Sequence, residues 1–493
     1  MPAVMGLVVG IDIGTQSCKA VVCDDRLAVL GAGRVGYAPA HPRPGWAEQD
    51  PALWLDALAP AVAAALAAAG RAPADVVGLG VTGQLDGLVA VDARGRALGP
   101  CLPWLDRRAT AELDGIDPER LAAITGQVAD AAHLAAKARW WDRHRPSPRA
   151  AAFHQPVSFV VEQLAGVRVM DPALASTTML WELERGAWSA ELCEAFALEP
   201  ARLPAVAPAD AVAGRLTARG AAWTGLPAGI AVAVGTGDDF AAPLGAGLQP
   251  GELVCVLGTA EVVGARAATA VRDRGRLVET HAYPAGGFFV ENPGWLAGGA
   301  LRWLGALLGL DDAALDAAAI AAPPGAGGVA FLPALGGAMA PAWDPEARGA
   351  FVGLAPGHGA PHLARAVHEG LACAVRDVAL RLGELGLPLG ALRLVGGGAR
   401  SRLAAEVRAD ATGLPVERSA DADCTPIGAA MCAAVAAGLH RELAAAAVAR
   451  PPSVARVMPD PGRRALAEAG HARHRALFAA LRRDRAPRDP DHV

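Results

Sequence analysis

The feature that most constrains the fold of this chain is a pattern that occurs once near its start and once near its middle. An apolar run typical of a β-strand ends in Gly14-Thr15, and another ends in Gly258-Thr259. Each is followed at once by a second strand-like run, as expected of a hairpin with a glycine turn. The repeat predicts two α/β halves that begin with the same strand–loop–strand unit, and two such loops facing each other could clamp a triphosphate.

Hydrophobic periodicity places further elements in both halves. The expected strands and helices are Leu7–Asp12, Cys18–Cys23, Pro51–Ala69 (helix), Val76–Val81, Leu88–Asp92, Ile230–Val234, Leu253–Leu257, Gly298–Leu308 (helix), His362–Leu385 (helix), Leu392–Val395 and Gly428–Ala437 (a closing helix). The glycine-rich stretch 245–251 is a plausible hinge. We therefore expect domains over 1–245 and 246–445, with a helical tail over 446–493.

Composition narrows the function classes. A chain of 493 residues is too long for one hydrophobic core, and 53% hydrophobic content favours compact folding. The chain has a net charge of −5 and no basic stripe that would suit a nucleic acid. The Arg-rich C-terminal stretch is typical of a solvated helix face. The eight cysteines form no C-x-x-C pair, which argues against zinc and disulfides. With no signal peptide and no apolar run of the ~18 residues that a membrane span needs, we expect a cytoplasmic protein.

The first candidate motif runs from Asp12 to Lys19. Gly14 lets the backbone come close to a phosphate, while Thr15 and Gln16 offer hydrogen-bond donors. Asp12, at the end of a strand, could hold Mg²⁺ through water, because hard cations prefer oxygen ligands. An ordinary β-hairpin with a glycine turn explains the same residues equally well.

The second motif, 234–239, places Asp238 and Asp239 after an apolar strand and a glycine turn. Asp238 could be the base for a substrate hydroxyl, with Asp239 hydrogen-bonded to the substrate, or it could simply cap a helix.

The third motif, 394–401, carries three glycines after a strand, which could let a nucleotide pack on the backbone or merely form a turn. It does not have the spacing of a dinucleotide-binding fingerprint.

Together, in this order, the three motifs resemble the FGGY family of carbohydrate kinases, within the actin/Hsp70/hexokinase superfamily. Further similar segments are 44–51, 104–108, 171–180, 298–304 and 427–430. The resemblance implies an α/β fold with two actin-like (ribonuclease H-like) domains and an active site in the interdomain cleft. It also implies ATP and Mg²⁺ as cofactors and phosphoryl transfer to a carbohydrate hydroxyl.

The resemblance also implies roles for individual residues. Asp238 would be the catalytic base, and Asp12 would lie near Mg²⁺ and the γ-phosphate. The remaining ATP-binding positions would be Gly14, Thr15, Gln16, Gly258, Thr259, Gly298, Gly397, Gly398, Ala399 and Arg402.

The substrate class is inferred from the segment Gln84-Leu85-Asp86-Gly87. This segment would face the sugar together with Trp104 and Asp239. Xylulokinases typically carry Gln-Met-His-Gly here, some erythritol kinases carry Gln-Gly-Asp-Gly, and the Asn-Gln-Arg-Glu of glycerol kinases is absent at 83–86. Asp86 suits a substrate with hydroxyls rather than a carboxylate. Trp104 could wall the sugar pocket or be a core residue.

The sequence thus favours a xylulokinase-like enzyme acting on a ketopentose such as D-xylulose, with a polyol such as erythritol or another ketose as the alternative. A non-catalytic nucleotide-binding scaffold or sugar sensor is the rival of another class. The expected partners are the small-molecule substrate and ATP, with no nucleic acid and no membrane, and a homodimer is possible.

Overall fold

The computed structural model describes residues 6–145, 147–419, 421, 423–450 and 454–483. The strands of the first half are β1 (Leu7–Ile13), β2 (Ser17–Cys23), β3 (Val29–Gly36), β4 (Val76–Gly83), β5 (Val89–Val91), β6 (Ala152–His154), β7 (Val169–Met170), β8 (Trp181–Glu182), β9 (Ala187–Trp188), β10 (Ala205–Val206), β11 (Val212–Arg215), β12 (Ala231–Ala233) and β13 (Thr236–Gly237). Its helices are α1 (Pro51–Ala69), α2 (Pro118–Thr125), α3 (Leu134–His144), α4 (Pro156–Ala165), α5 (Pro172–Ser176), α6 (Ala190–Ala195), α7 (Ala218–Thr224) and α8 (Asp238–Gly245).

The second half is built in the same style. Its strands are β14 (Glu252–Leu257), β15 (Ala260–Ala267), β16 (Glu279–Ala282), β17 (Phe288–Leu296), β18 (Ala330–Leu332), β19 (Ala350–Val352), β20 (Ala391–Val395), β21 (Val416–Ser419) and β22 (Val454–Val457). Its helices are α9 (Gly298–Leu308), α10 (Asp312–Ala321), α11 (Ala360–Glu384), α12 (Arg402–Thr412), α13 (Thr425–Ala436), α14 (Leu443–Ala449) and α15 (Arg464–Arg483).

The two large sheets share one plan. The first has the order β11-β12-β4-β1-β2-β3, and the second has the order β16-β17-β15-β14-β20-β21-β22. In each, the opening strand pairs antiparallel with the strand after it and parallel with the strand that follows a crossover. The shared part is β3-β2-β1-β4-β12 in the first sheet and β17-β15-β14-β20-β21 in the second. Numbered by their order of appearance within each set of five, both run 3-2-1-4-5. This confirms the two-domain α/β fold that the repeated Gly-Thr pattern predicts.

Most predicted elements lie where the periodicity placed them, including α1 and α9 with their full bounds. The tail differs, because β22 pairs antiparallel with β21 and extends the second sheet. The predicted helical tail 446–493 therefore contains an edge strand as well as helix α15. Its residues 451–453 and 484–493 lie outside the described part of the chain.

Helix α1 is long and apolar enough to cross a membrane by length and composition. Its apolar side chains, among them Trp54 and Leu58, are buried in the core of the first half, against β2 and β3. The helix thus has the packing of a core helix.

Helix α13 joins the halves. It follows β21 of the second sheet but packs on β1 and β4 of the first. Glycines make this contact possible, since a Cβ added at Gly10 would lie 1.9 Å from the Pro426 carbonyl oxygen, and one at Gly80 would lie 2.0 Å from that of Ala429. Helix α8 lies against the same helix, with Gly428 facing Ala241. The two halves are thus held together next to Asp238, where α8 begins.

Candidate active site

Three neighbouring strands of the first sheet end at one edge. In β4, Gly83 lies in register with Ile13 of β1 on one side and with Gly237 of β13 on the other. All three strands are parallel, so their carboxyl ends meet at this edge, where ligands commonly bind in open α/β sheets. Residues Gln84 to Asp86 follow β4, Asp238 and Asp239 follow β13, and Asp12 lies next to the end of β1. The fold therefore brings the first motif, the second motif and the substrate segment together.

Asp238 does not cap α8. The N-cap is Gly237, and Asp238 is the first helical residue. Burial, followed by the charge of Asp239, raises the pKa of the Asp238 carboxyl to about 7. The pKa of Asp239 is also raised, by burial and then by the charge of Asp86. A carboxylate that is spared from capping and has a pKa near neutrality can accept a proton more readily than an ordinary aspartate.

Asp12 is buried, with 3% of its surface exposed. Its Oδ2 lies 3.2 Å from Lys19 Nζ, which also lies 2.8 Å from Oδ2 of Asp423, just before α13. Burial raises the pKa of Asp12 to about 7 against the opposing effect of Lys19. Lys19 ends the first motif but was given no role there, and Asp423 was not predicted because its ion pair with Lys19 joins segments that are distant in sequence.

The donor set at Asp12 fits a hard divalent cation. Within the described residues, the buried Oδ1 of Asp12 has no hydrogen-bond partner. The described part of the chain holds no group of three or more His, Cys, Asp or Glu side chains arranged to bind a metal. This matches Mg²⁺, which usually binds proteins through one or two carboxylates and completes its shell with water and phosphate oxygens.

The first Gly-Thr loop is fastened by side chains of its own half. The hydroxyl of Tyr37 donates to the Gly14 carbonyl at 2.8 Å, and Nε2 of Gln49 donates to the Thr15 carbonyl at 3.1 Å. The backbone N–H of Tyr37 donates to the Gln16 carbonyl. These donors occupy the carbonyl oxygens that would otherwise repel an anion.

Trp104 belongs to the same arrangement. Its indole Nε1 donates to Oγ1 of Thr15 at 3.0 Å, and its side chain is 40% exposed. It is therefore not a core tryptophan. Its bond ties the 103–106 segment to the Gly-Thr loop.

The second Gly-Thr loop is fastened by the start of α9. The backbone N–H groups of Ala297 and Gly299 donate to the Thr259 carbonyl at 3.1 and 3.0 Å. Arg302 Nη2 donates to Oγ1 of Thr259 at 2.9 Å. A Cβ at Gly298 would lie only 2.2 Å from the Gly258 carbonyl oxygen, so α9 can close on the loop only because residue 298 is glycine. Gly258 and Thr259 themselves are exposed.

The third motif forms a turn at the end of β20. Gly397 is exposed and Gly398 is half-buried against Leu257. Ala399 is buried with 1% exposure, and its backbone N–H and carbonyl bond to Gly396 and Arg418. Arg402 begins α12 at the surface, with its Nε bonded to Glu406 at 2.7 Å. Ala399 thus faces the core, while Gly397 and Arg402 are accessible.

The substrate segment is rigidly held. Asp86 has a left-handed backbone (φ 61), its N–H donates to Oε1 of Gln155, and its carbonyl accepts from Lys137 Nζ at 2.8 Å. Its Oδ1 lies 3.1 Å from Nδ1 of His133. Burial lowers the pKa of His133, but the charge of Asp86 outweighs it and brings the pKa to about 9. His133 therefore carries a positive charge at neutral pH.

Gln84 and Leu85, the first two residues of this segment, have different surroundings. Leu85 lies against Gly237, directly before Asp238. Gln84 is buried, and its Nε2 donates to Oε1 of Gln49 at 2.7 Å. The Gln84 amide N–H thus supports the first Gly-Thr loop through Gln49.

The second half adds acidic groups that the sequence analysis missed. Nε2 of His281 on β16 lies 3.6 Å from Oε1 of Glu291 and 3.8 Å from Oε2 of Glu279, and its ring packs on Phe240, next to Asp239. Burial, followed by the charge of Asp239, holds the pKa of Glu291 well above its usual range. Acidic side chains of both halves therefore face the same region.

Comparison with known proteins gives the family. The model of the FGGY family of carbohydrate kinases, N-terminal domain, matches residues 7–245, and that of the C-terminal domain matches residues 253–437. A glycerol kinase from Gloeobacter violaceus is 33% identical over 467 residues, 91% of this chain and 92% of that protein. One from Aromatoleum aromaticum is 34% identical over 455 residues, 88% of this chain and 91% of that protein.

Among solved structures, the xylulose kinase from Rhodospirillum rubrum has a TM-score of 0.84 and 32% identity, over 97% of this chain and 99% of that chain. The relatives thus include both glycerol kinases and a xylulose kinase, and the expectation of a xylulokinase-like chain has support from only part of them. The coarser assignment does not depend on that choice: the chain belongs to the FGGY family of carbohydrate kinases and is a phosphotransferase of that family.

Proposed function

We propose that this protein transfers the γ-phosphoryl group of ATP to a hydroxyl of a neutral sugar or polyol, with Asp238 as the base. The observation that carries the proposal is the position of Asp238 at the edge where β1, β4 and β13 end. Asp238 is not used as a helix cap. Along that edge the substrate segment follows the middle strand, β4, with Asp12 and the first Gly-Thr loop at the end of β1 on one side and Asp238 after β13 on the other.

The chemistry asked of the chain is mainly alignment and charge neutralisation. Asp238 accepts the hydroxyl proton as the bond to phosphorus forms, and its raised pKa strengthens it as a base. Thr15, Thr259 and the N–H groups of their loops bind phosphate oxygens, and Lys19 adds a positive charge beside Asp12. Gly397, Gly398 and Arg402 border the rest of the nucleotide.

Asp12 would hold Mg²⁺ through water, and the bound ion would supply positive charge that neutralises the phosphate oxygens. Because the reaction consumes ATP, we place it in the cytoplasm.

The acceptor side favours a neutral substrate. Asp86, Asp239 and Glu279 can accept hydrogen bonds from hydroxyl groups, whereas a substrate carboxylate would be repelled by ionised carboxylates. Glu291, whose pKa is held well above its usual range, can also donate a hydrogen bond in its neutral form. We place D-xylulose first, because the xylulose kinase structure is similar over nearly the whole chain. Glycerol or a related polyol such as erythritol is second, because curated relatives that span most of the chain are glycerol kinases.

The test is ADP release by the purified protein with Mg-ATP across ketopentoses, ketohexoses, tetritols, pentitols and glycerol. We expect one acceptor to raise turnover well above the acceptor-free rate. Asp238→Asn should lose that stimulation by about 10²- to 10⁴-fold, as for loss of a general base. Asp114→Asn, an exposed aspartate of the same half, is the matched control and should retain it.

Two results would contradict the proposal. If no acceptor stimulates turnover although ATP binds, the nucleotide-binding scaffold or sugar sensor becomes the better description. If Asp238→Asn responds to the acceptor as fully as the parent, Asp238 is not the base.

A further inference from the structure

Helix α3 carries a lysine that is fully enclosed by protein. Lys137 has 0% exposure, and its Nζ donates to three backbone carbonyls, those of Asp86 at 2.8 Å, Pro103 at 2.7 Å and Ala132. An ammonium group has three donors, so these bonds satisfy all of them. Burying a charge is costly unless it is bonded in this way. A residue without three such donors would leave some of these carbonyl groups without a partner.

The three carbonyls belong to the segments that surround the proposed acceptor. Asp86 is in the substrate segment, and Pro103 directly precedes Trp104, which bonds to Thr15. Ala132 directly precedes His133, which lies 3.1 Å from the Asp86 carboxylate. One ammonium group therefore joins the substrate segment, the Trp104 segment and the His133 segment.

The backbone of Asp86 needs such support. A non-glycine residue at φ 61 lies in the left-handed region and persists there where its surroundings hold it. Here Gln155 bonds the Asp86 N–H and Lys137 bonds its carbonyl. Nδ1 of His133 lies 3.1 Å from Oδ1 as an ionic partner, and this buried oxygen makes no hydrogen bond within the described residues, so it can accept one from a substrate hydroxyl.

We propose that Lys137 and His133, one turn apart on the chain, are positioning residues for the acceptor site. Lys137 fixes the backbone of Asp86 and His133 fixes its carboxylate, so the pair sets how tightly an acceptor is bound and which acceptor is preferred. Neither residue is among those proposed above to bind ATP. This inference rests on the proposed function only in taking Asp86 as an acceptor contact.

The experiment compares Lys137→Met with Arg139→Met, a matched control on the same helix whose Nη1 donates to the Glu112 carbonyl instead. For Lys137→Met we expect the acceptor KM to rise about 10- to 100-fold, typical of losing a charge-assisted hydrogen bond, with the ATP KM changed by less than about threefold. The ratio of kcat/KM between two acceptors should also change. Arg139→Met should leave both KM values and that ratio near the parent.

A second readout does not depend on activity. Hydrogen–deuterium exchange of the amides in 84–88 and 102–106 should speed up in Lys137→Met and not in Arg139→Met. If Lys137→Met does not fold, His133→Gln must show the acceptor-selective KM change with intact thermal unfolding.

Unchanged exchange, or equal losses for ATP and acceptor, overturns the positioning role. If the parent shows no acceptor-stimulated turnover, the proposed function fails, and the exchange experiment alone decides whether Lys137 holds Asp86.

Discussion

The two Gly-Thr loops occupy the same place in two sheets of the same strand order, yet they are secured in different ways. Side chains from outside the hairpin, those of Tyr37, Gln49 and Trp104, hold the first loop. Backbone amides at the start of α9 and the single side chain of Arg302 hold the second. The duplicated topology therefore determines where each loop lies, and the local sequence determines what surrounds it.

The charges around the loops differ as well. Near the first loop lie Asp12 and Asp238, whose pKa values are raised by burial. Near the second lies an exposed arginine, Arg302, which donates a hydrogen bond to Thr259. In the proposed function, the first half handles protons and the metal while the second half handles the polyanionic nucleotide. Substitutions in both halves test this division.

The largest effect on stability is expected from alanine at Gly298, where α9 begins against the second Gly-Thr loop. In Gly298→Ala the new methyl group would lie 2.2 Å from the Gly258 carbonyl oxygen, so α9 and the loop must separate. We expect the free energy of unfolding to fall by about 1–3 kcal/mol, as for other overpacked sites, and the ATP KM to rise. Urea denaturation and steady-state kinetics measure the two quantities.

Gly14→Ala is the comparison. Its Cβ would lie 3.4 Å from the nearest heavy atom outside its chain neighbours, the Ser17 carbonyl oxygen. Its free energy of unfolding should stay within about 0.5 kcal/mol of the parent, while ATP binding weakens because the methyl group takes space proposed for a phosphate. Equal destabilisation by the two substitutions would show that the loops are not packed differently.

An intermediate effect, on the pH dependence of kcat/KM, is expected from Asp239→Asn. Asp238 must be ionised to act as a base, so kcat/KM should fall as the pH drops through its raised pKa of about 7. The charge of Asp239 contributes to that rise, so the substitution should lower the pKa of Asp238 and move the acidic limb down by about one pH unit. Asp423→Asn, a carboxylate next to Lys19 instead, serves as the comparison. An acidic limb that stays in place in Asp239→Asn argues against the assignment.

Stability should depend on pH through the same groups. The carboxyls of Asp12 and Asp238 have folded-state pKa values of about 7 against an ordinary value of 3.8. The folded state therefore holds more protons than the unfolded state between these values. Their contribution to the free energy of unfolding is present below about pH 4 and is lost as the pH rises through 7. Adding Mg-ATP should offset this loss at pH 7 to 8, which thermal unfolding can measure.

The smallest effect is expected from single fastening side chains. Tyr37→Phe removes the hydroxyl that donates to the Gly14 carbonyl in a half-buried site and should cost about 1 kcal/mol of unfolding free energy. Arg302→Met removes an exposed donor to Thr259 and should cost less than about 0.5 kcal/mol. Both should raise the ATP KM by a few-fold. A greater loss of stability in Arg302→Met would reverse the comparison.

Much of the architecture could be predicted from local pattern. Apolar periodicity gave α1 and α9 their full bounds, and the repeated Gly-Thr dipeptides indicated the duplicated sheet plan. Local residue order also placed Asp238 after an apolar strand and a glycine turn. These are short-range properties, since strand and helix periods and glycine turns depend on neighbours only a few residues away.

The surroundings of the site were decided by tertiary structure. Lys137 meets the carbonyl of Asp86, 51 positions away in sequence, and Glu279 accepts a bond from the Val128 N–H, 151 positions away. Neither contact can be predicted from the periodicity of the sequence. Ala399 is another case, because a glycine-rich turn does not reveal that its alanine faces the core.

By itself, then, the sequence determined the family, the two-sheet plan and the carboxylate proposed as the base. Each of these depends on short runs of adjacent residues. Only the tertiary structure decided that His133, Lys137, Glu279, His281 and Glu291 join the proposed acceptor side. Their burial and their partners arise when segments distant in sequence pack together, and a buried ion or hydrogen bond gains its strength only in that enclosed setting.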